Sequence, residues 1–157
     1  MVTFSLDTTI VVDILRGHGD VRRRFAAAAG RGDSLVVSSV VLHELSYGAW
    51  RSGRPDAKLR ELEVFLRRVQ VEAFQAEDAL ETGRLRAHLA DLGGSVGAYY
   101  EMIAGQALAR GWTVVTSNIR HFIAMGDVAV ADWRRGEFAF TAAERTDFIL
   151  ELMKAKK

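Results

Sequence analysis

The chain has 157 residues, which suits one domain with a single sizeable hydrophobic core. Nearly half of its residues are apolar and its formal net charge is +1, so no global charge draws it to nucleic acid or to a membrane. Cysteine is absent, which excludes a disulfide framework and a thiolate metal site. The sequence contains neither a signal peptide nor an apolar run of the ~18–20 residues needed to span a bilayer, so we expect a soluble cytoplasmic protein.

The first half of the chain alternates short apolar segments with longer amphipathic ones. The short segments are rich in β-branched residues and the longer ones carry apolar residues at helical spacing, which predicts strands alternating with helices. The predicted elements are strand 2–6, helices 10–15 and 21–29, strand 35–37, a helix from Ser38 or Ser39 to about residue 50, helix 57–68 and strand 69–74.

The second half continues the same alternation. Its predicted elements are helices 77–92 and 98–109, strand 112–116, a turn or short helix over 117–122 and an edge strand over 128–131. Strands that alternate with helices favour a mostly parallel sheet with helices on both faces. We therefore predict an α/β protein, a three-layer α/β/α fold with a central sheet of four or five strands, formed by residues 1–135.

The C-terminal tail, residues 136–157, differs in character from this domain. Residues 141–144 form a capping box, which predicts the start of a last helix. An apolar stripe at helical spacing follows, made of Phe148, Ile149, Leu152 and Met153. The simpler interpretation is a helix that packs on its own domain. The alternative is a contact with a partner protein or a second copy of the chain.

Polar side chains follow three of the predicted strands. Asp7 comes directly after the first strand, the Ser38–Ser39 pair after the second, and residues 116–118 after the fourth. In parallel sheets the functional crevice lies beyond the carboxyl ends of the strands, so we expect these groups to meet there. An isolated Asp7 would be explained as a helix cap. We expect Asp13, one and a half turns further on, to point elsewhere.

Glu44 changes the interpretation of Asp7. It lies among apolar residues of its helix, where a charge is costly unless it is paired or bound to a cation. Two carboxylates in one crevice repel, and they persist when a hard cation binds between them; oxygen ligands select Mg²⁺ or Mn²⁺. Such a cation activates water and stabilises the charge of a phosphodiester transition state.

Five blocks in order resemble the PIN-domain nucleases and, within them, the VapC-type toxins of bacterial toxin–antitoxin pairs. The similarity covers about residues 2–133. The blocks are residues 6–17 (LDTTIVVDILRG), 39–49 (SVVLHELSYGA), 103–111 (IAGQALARG), 114–122 (VVTSNIRHF) and 132–133 (DW). Each block alone is moderately specific, but the ordered set of five is strong.

This resemblance implies a PIN-like fold and a toxin that is an Mg²⁺-dependent endoribonuclease, with Mn²⁺ as a substitute ion. It further implies an RNA substrate, inhibition by a cognate antitoxin, a homodimer and no membrane association. Asp7 and Glu44 correspond to metal-site acids of the family, and Asn118 corresponds to the fourth, polar residue of the family's site. These three are the predicted catalytic residues. The predicted substrate contacts are Thr8, Thr116 and Ser117.

The chain departs from the family pattern at the third acid. The position three residues before Ile103, where the family has Asp, is Tyr100, and Thr9 stands where Asn is usual. Glu101 is turned about 100° from Tyr100 around the helix, so it would reach the metal position only if the first turn unwound. We keep Tyr100, as the position of the lost acid, and Glu101 among the candidate metal-site residues.

A neutral phenol is a poor Mg²⁺ ligand. Our hypothesis is therefore that this copy binds the metal weakly or not at all and cuts RNA slowly or not at all. The alternative is a non-catalytic PIN-like module that binds antitoxin or RNA without cleavage. Aspartate and tyrosine codons differ by one base, so Tyr100 is either an acquired change or the mark of a degenerate paralogue; the chromosomal gene decides between them.

Overall fold

A computed structural model describes residues 1–136, 145–147, 150 and 154. Its centre is one sheet of five strands, in which every neighbouring pair is parallel. The strands are β1 (Thr3–Leu6), β2 (Ser34–Ser38), β3 (Gln70–Glu72), β4 (Thr113–Val115) and β5 (Ala129–Ala131). Their spatial order is β3-β2-β1-β4-β5, so the first strand lies at the centre and β3 and β5 form the edges.

Seven helices connect and flank these strands in the described part of the chain. They are α1 (Thr8–Arg16), α2 (Gly19–Gly30), α3 (Ser39–Trp50), α4 (Pro55–Leu66), α5 (Ala76–Asp91), α6 (Ala98–Arg110) and α7 (Ile119–Ile123). Parallel neighbours need such crossover connections because a short hairpin joins only antiparallel strands. The predicted three-layer α/β/α fold is confirmed. None of the described helices is long and apolar enough to cross a bilayer.

The central strands are buried on both faces, as their continuous apolar sequence predicts. Leu6 in β1, Val37 in β2 and Val114 in β4 are fully inaccessible to solvent. The register pairs Leu6 with Val115, so β1 and β4 end side by side. The residues that follow these two strands therefore emerge together at one edge of the sheet.

Local sequence signals set the ends of the helices that carry the site. Helix α1 begins immediately after Asp7 and ends at Gly17, whose left-handed φ of 85° terminates the helix. The Ser38 hydroxyl accepts a hydrogen bond from the Val40 amide and caps α3. Of the two serines predicted as caps, Ser38 is thus the one used, and Ser39 instead accepts a hydrogen bond from the Phe74 amide.

Helices α5 and α6 pack most closely where Gly105 meets Thr82. A Cβ at Gly105 would lie 2.0 Å from the Thr82 hydroxyl oxygen, so the approach requires glycine. Further along α6, Arg110 donates to Asp78 of α5 at 2.7 Å and to Glu72 of β3 at 2.9 Å. These contacts fix α6 against the sheet and thereby fix the position of its first turn.

The end of the domain is tied back to α1 and α2. The Arg134 guanidinium donates two hydrogen bonds of 2.7 Å to the Asp13 carboxylate, and Arg24 donates to the Trp133 carbonyl at 3.1 Å. Trp133 is buried and packs edge-on against Phe4, with ring centroids 5.4 Å apart. Asp13 therefore points away from Asp7, as the sequence predicts.

The predicted tail helix falls largely outside the described residues. Its capping box at 141–144 and its apolar stripe are not among them, so the division at residue 135 stays a prediction. Within the described part of the tail, the Arg145 side chain donates hydrogen bonds to the carbonyls of Gly126 and Val128. Residue 145 thus contacts the loop that precedes β5.

Candidate functional site

Asp7 lies at the carboxyl end of the central strand and is almost completely buried, with 1% of its surface exposed. Its carboxylate oxygen Oδ2 accepts hydrogen bonds from the hydroxyls of Thr116 at 2.8 Å and Thr9 at 3.2 Å. The backbone amides of Thr8 and Thr9 also stabilise the carboxylate, although no regular N-cap hydrogen bond is present. The side chain is directed into the crevice between β1 and β4, and helix capping explains only part of its environment.

Burial raises the pKa of the Asp7 carboxyl, and the hydrogen bond from Thr116 only partly opposes that rise. The cause is desolvation, because a charge taken out of water loses its hydration. The ionised form of Asp7 is thus costly in the absence of a nearby cation.

Glu44 reaches the same crevice from α3. Its oxygen Oε1 accepts a hydrogen bond of 3.0 Å from the hydroxyl of Thr8, the residue directly after Asp7. Burial raises the pKa of Glu44, and the negative charge of Asp7 raises it further. The two predicted acids are therefore brought together closely enough to repel each other.

The fourth, polar residue of the site follows β4. The Thr116 hydroxyl donates to Asp7 and accepts from the Asn118 amide at 2.9 Å, while the Ser117 amide donates to the Thr9 hydroxyl at 3.2 Å. Thr9 thus links Asp7, at the end of β1, to Ser117, in the segment after β4. Thr116 is fully buried and both its hydrogen bonds are internal, so it positions Asp7 and Asn118. Its role as a substrate contact stays a prediction.

Tyr100 occupies the corner where the third acid is expected. Its hydroxyl accepts a hydrogen bond of 3.3 Å from the Asn118 side-chain amide. Its ring stacks on His121, with centroids 4.4 Å apart and planes 8° from parallel, and contacts the edge of Phe122. Gly97, with a φ of 132°, lies beside one edge of the ring, and a Cβ there would approach the Cδ2 atom of Tyr100 to 3.2 Å. The aromatic ring is thus enclosed on several sides.

The phenol of Tyr100 stays protonated at neutral pH. Burial raises its pKa above the ordinary value, and the charges of Asp7 and Glu44 raise it further. Hydrogen bonds connect this hydroxyl through Asn118 and Thr116 to Asp7. At position 100 the crevice therefore has a neutral phenol oxygen, where an aspartate would add a negative charge.

The Glu101 carboxylate is bound by partners outside the crevice, and its role as a metal ligand stays a prediction. Its oxygen Oε1 accepts hydrogen bonds from the Ser95 hydroxyl at 2.5 Å and from the Val96 and Gly97 amides at 2.9 and 3.3 Å. Its other oxygen lies 2.9 Å from Arg86 in an ion pair that lacks hydrogen-bond geometry. The first turn of α6 is intact, so Glu101 faces α5 and the 95–97 loop.

These hydrogen bonds also set the charge of Glu101. Its burial acts to raise the carboxyl pKa, but the hydrogen bonds from Ser95, Val96 and Gly97 outweigh that effect and hold the pKa below its ordinary value. The carboxylate is therefore a charged cap for the loop that precedes α6.

A groove of about 300 Å³ opens beside Glu44, between α1, α3 and α4. Leu45 and Leu62 line its floor, and the cationic side chains of Arg16 and Lys58 lie along it. The sequence interpretation missed both these cations and the role of His121. A signal for His121 is its place three residues after Asn118, one turn along a short helix.

A five-stranded parallel sheet with buried Asp7 and half-buried Glu44 at its carboxyl edge defines a class of protein. The sequence matches the family described as PIN domain over residues 5–127. Because this match covers most of the chain, the protein belongs to the PIN-domain family. Nucleases of this family generally depend on a divalent metal ion.

Individual relatives are of the VapC type. The chain is 40% identical, over 85% of its length and 99% of that protein, to a Shigella flexneri protein named tRNA(fMet)-specific endonuclease VapC. It superposes with a TM-score of 0.78 and 37% identity on a chain of DNA-bound VapBC from Salmonella typhimurium, covering 85% of this chain and 99% of that one. A chain of DNA-bound VapBC2 from Rickettsia felis gives a TM-score of 0.79 at 29% identity, covering 83% and 98% of the two chains.

The described residues do not fit a metal site of the three-acid type. Among them, no group of three histidine, aspartate or glutamate side chains is placed to hold one ion. Asp7 and Glu44 supply two carboxylates, whereas Tyr100 supplies a phenol that is already hydrogen-bonded to Asn118. A divalent cation bound here would have to complete its shell of oxygen ligands with water.

Proposed function

We propose that this chain is the toxin of a toxin–antitoxin pair, built as an endoribonuclease that hydrolyses RNA phosphodiesters in the cytoplasm. The observation that carries the proposal is the convergence of buried Asp7 with half-buried Glu44 and Asn118 at the carboxyl edge of the parallel sheet. The names of the VapC relatives, an endonuclease and ribonucleases, support it.

We propose Mg²⁺, with Mn²⁺ as a substitute, as the ion of the ancestral site, because carboxylate oxygens favour these ions. When bound, such an ion supplies an activated water and offsets phosphate charge. In this copy Tyr100 removes one of the anionic ligands. We therefore expect weak or absent metal binding and slow or absent cleavage.

A non-catalytic binding module is the second candidate function. The hydrogen bond between Tyr100 and Asn118 favours a binding module, because each of these side chains then occupies a polar group of the other that a metal or substrate would need. Such a module would bind RNA or an antitoxin without hydrolysis. The two candidates share the same crevice and differ only in whether a reaction follows binding.

We propose that the antitoxin binds along the groove beside Glu44. The apolar floor suits aliphatic side chains of an extended segment, and the acids at its end suit a cationic side chain such as arginine. We also propose a homodimer. Exposed aromatic residues on α3 and α6, Tyr47, Trp50 and Tyr99, support a protein contact on that side of the domain.

Restoring the third acid tests the proposed function. We expect Tyr100→Asp to cleave structured RNA at least about 100-fold faster than the unaltered protein in Mg²⁺, a factor typical of removing one electrostatic stabiliser. The gain should vanish in EDTA. It should also vanish in the double variant Tyr100→Asp with Asp7→Asn, which is the matched control for a contaminating nuclease.

Two results would contradict parts of this proposal. If Tyr100→Asp shows no Mg²⁺-dependent cleavage of RNA, the nuclease interpretation of the crevice fails and the binding module remains. If the unaltered protein cleaves as fast as Tyr100→Asp, the phenol does not disable the site.

A further inference from the structure

We propose that the stacked rings of Tyr100 and His121 form a platform for one unpaired nucleobase of an RNA strand bound at the crevice. This inference rests on the proposed function only in taking RNA as the ligand. It requires neither a metal ion nor cleavage. The position at which the family has an acid would then bind the face of a nucleobase.

The geometry of the ring pair suits a nucleobase. Both rings are only partly buried, and they already lie parallel within 8° at 4.4 Å, which is a stacked arrangement. Bases stack on aromatic side chains because every base has a π face, whatever its sequence. A base added to this pair extends an existing stack.

The platform is held in place before any ligand arrives. The edge of Phe122 and the backbone of Gly97 lie against the Tyr100 ring, and Asn118 anchors its hydroxyl. Little side-chain freedom is left to lose on binding, which favours affinity. The hydrogen bonds of Glu101 to the 95–97 loop hold the same turn of α6.

Electrostatics favours a base over a phosphate at this position. Tyr100 is linked through Asn118 and Thr116 to Asp7, and the Asp7 and Glu44 carboxylates repel an anionic phosphate when no cation is bound between them. The neutral face of a base is not repelled in this way. Arg16 lines the groove that contains Glu44, as does Lys58, which is paired with Glu61; the Arg16 guanidinium can attract the RNA backbone.

The ligand must be single-stranded at the platform. A base inside a duplex is stacked between its neighbours, so its faces are not available to a protein ring. The structure therefore predicts that single-stranded RNA binds more tightly than duplex RNA of the same sequence.

Fluorescence anisotropy in EDTA tests this prediction on the unaltered protein. The probe is a labelled single-stranded RNA of about eight nucleotides, within the range of known single-strand sites. A series of the same RNA carries one abasic residue at each position in turn. We expect one position at which loss of the base weakens binding about 5- to 150-fold, the range measured for base–aromatic stacking.

Variants then assign that base to the ring pair. In Tyr100→Leu and in His121→Leu, the intact RNA should bind about 5- to 150-fold more weakly, and the abasic position should no longer matter. Tyr100→Phe keeps the ring and should keep the abasic effect. Trp112→Leu is the matched control, because Trp112 precedes β4 and so lies at the opposite edge of the sheet; it should bind like the unaltered protein.

Equal affinity for all abasic RNAs, or an unchanged abasic effect in Tyr100→Leu, overturns the inference. If Tyr100→Leu does not fold, the abasic series with the unaltered protein and His121→Leu gives the same decision. Failure of the unaltered protein to bind any RNA also overturns it. The proposed function has its own test. It fails when Tyr100→Asp shows no metal-dependent cleavage of RNA.

Discussion

Glu101 is the residue whose assigned role changed most between sequence and structure, and its substitution distinguishes two roles. As a loop cap, its carboxylate stabilises the turn before α6 through Ser95, Val96 and Gly97. As a metal ligand, it would leave stability unchanged and affect only ion binding. We therefore predict that Glu101→Ala lowers the free energy of unfolding.

The expected magnitude follows from the groups left without an acceptor. Two backbone amides and one hydroxyl lose a charged partner, and each such loss costs about 1 kcal/mol or more where the group is partly buried. We expect about 3 kcal/mol for Glu101→Ala and about 1 kcal/mol for Glu101→Gln, which keeps one acceptor oxygen. For a chain of this size, 1 kcal/mol corresponds to about 2–4 °C in Tm. Arg86 is largely exposed, so Arg86→Ala should cost at most about 1 kcal/mol.

Urea denaturation at several pH values checks this prediction. The pKa of Glu101 is lowered in the folded state, so its stabilising effect is present above the ordinary glutamate pKa and is lost as pH falls through the folded value. The difference between the parent and Glu101→Gln should therefore disappear in strong acid. An unchanged stability of Glu101→Ala, together with loss of Mn²⁺ binding in a Tyr100→Asp background, would show that Glu101 is a metal ligand after all.

Two further substitutions test the packing and the electrostatics of the site. Burial raises the pKa of Asp7, so ionisation of this carboxyl destabilises the folded state. The substitution Asp7→Asn should therefore increase the free energy of unfolding at neutral pH, by about 1.4 kcal/mol for each unit of pKa shift. This gain should disappear as pH falls below the ordinary aspartate pKa, where the carboxyl is protonated in both states. A gain that persists in acid would refute this explanation. Gly105→Ala should cost about 1–3 kcal/mol in chemical denaturation because its Cβ meets Thr82 at 2.0 Å, whereas Gly83→Ala, with open space around it, should be neutral or stabilising. Equal effects of the two alanines would contradict the close packing of α5 on α6.

The alternation of strands and helices could be predicted because it is written in local patterns. Short β-branched runs such as Leu35–Val37 and serine caps such as Ser38 act over a few residues. Parallel topology then follows, since each strand is separated from the next by a crossover. The edge strand β3 is only three residues long, and it is the strand whose length the sequence overestimated most.

The placement of Asp7 at the carboxyl edge and the inward direction of Tyr100 were also predictable. Both depend on a single element: Asp7 follows a strand, and Tyr100 shares a helical face with Ile103 and Ala107. The same helical period turned Glu101 off that face. Helical periodicity could not predict the hydrogen-bond partners of Glu101, because those partners lie in the 95–97 loop, which has no regular structure.

The sequence by itself thus determined the alternation that builds the sheet, and it predicted the pairing of Asp7 with Glu44 and the inward direction of Tyr100, because each depends on residue type and local period. Tertiary structure alone decided which groups those acids meet. Thr116, which also bonds Asn118, reaches Asp7 across 109 residues of chain, and this contact exists because the register places the ends of β1 and β4 side by side. His121 stacks on Tyr100 because α7 begins directly beyond that same strand end. Such contacts depend on the relative position of elements distant in sequence, which no local pattern encodes.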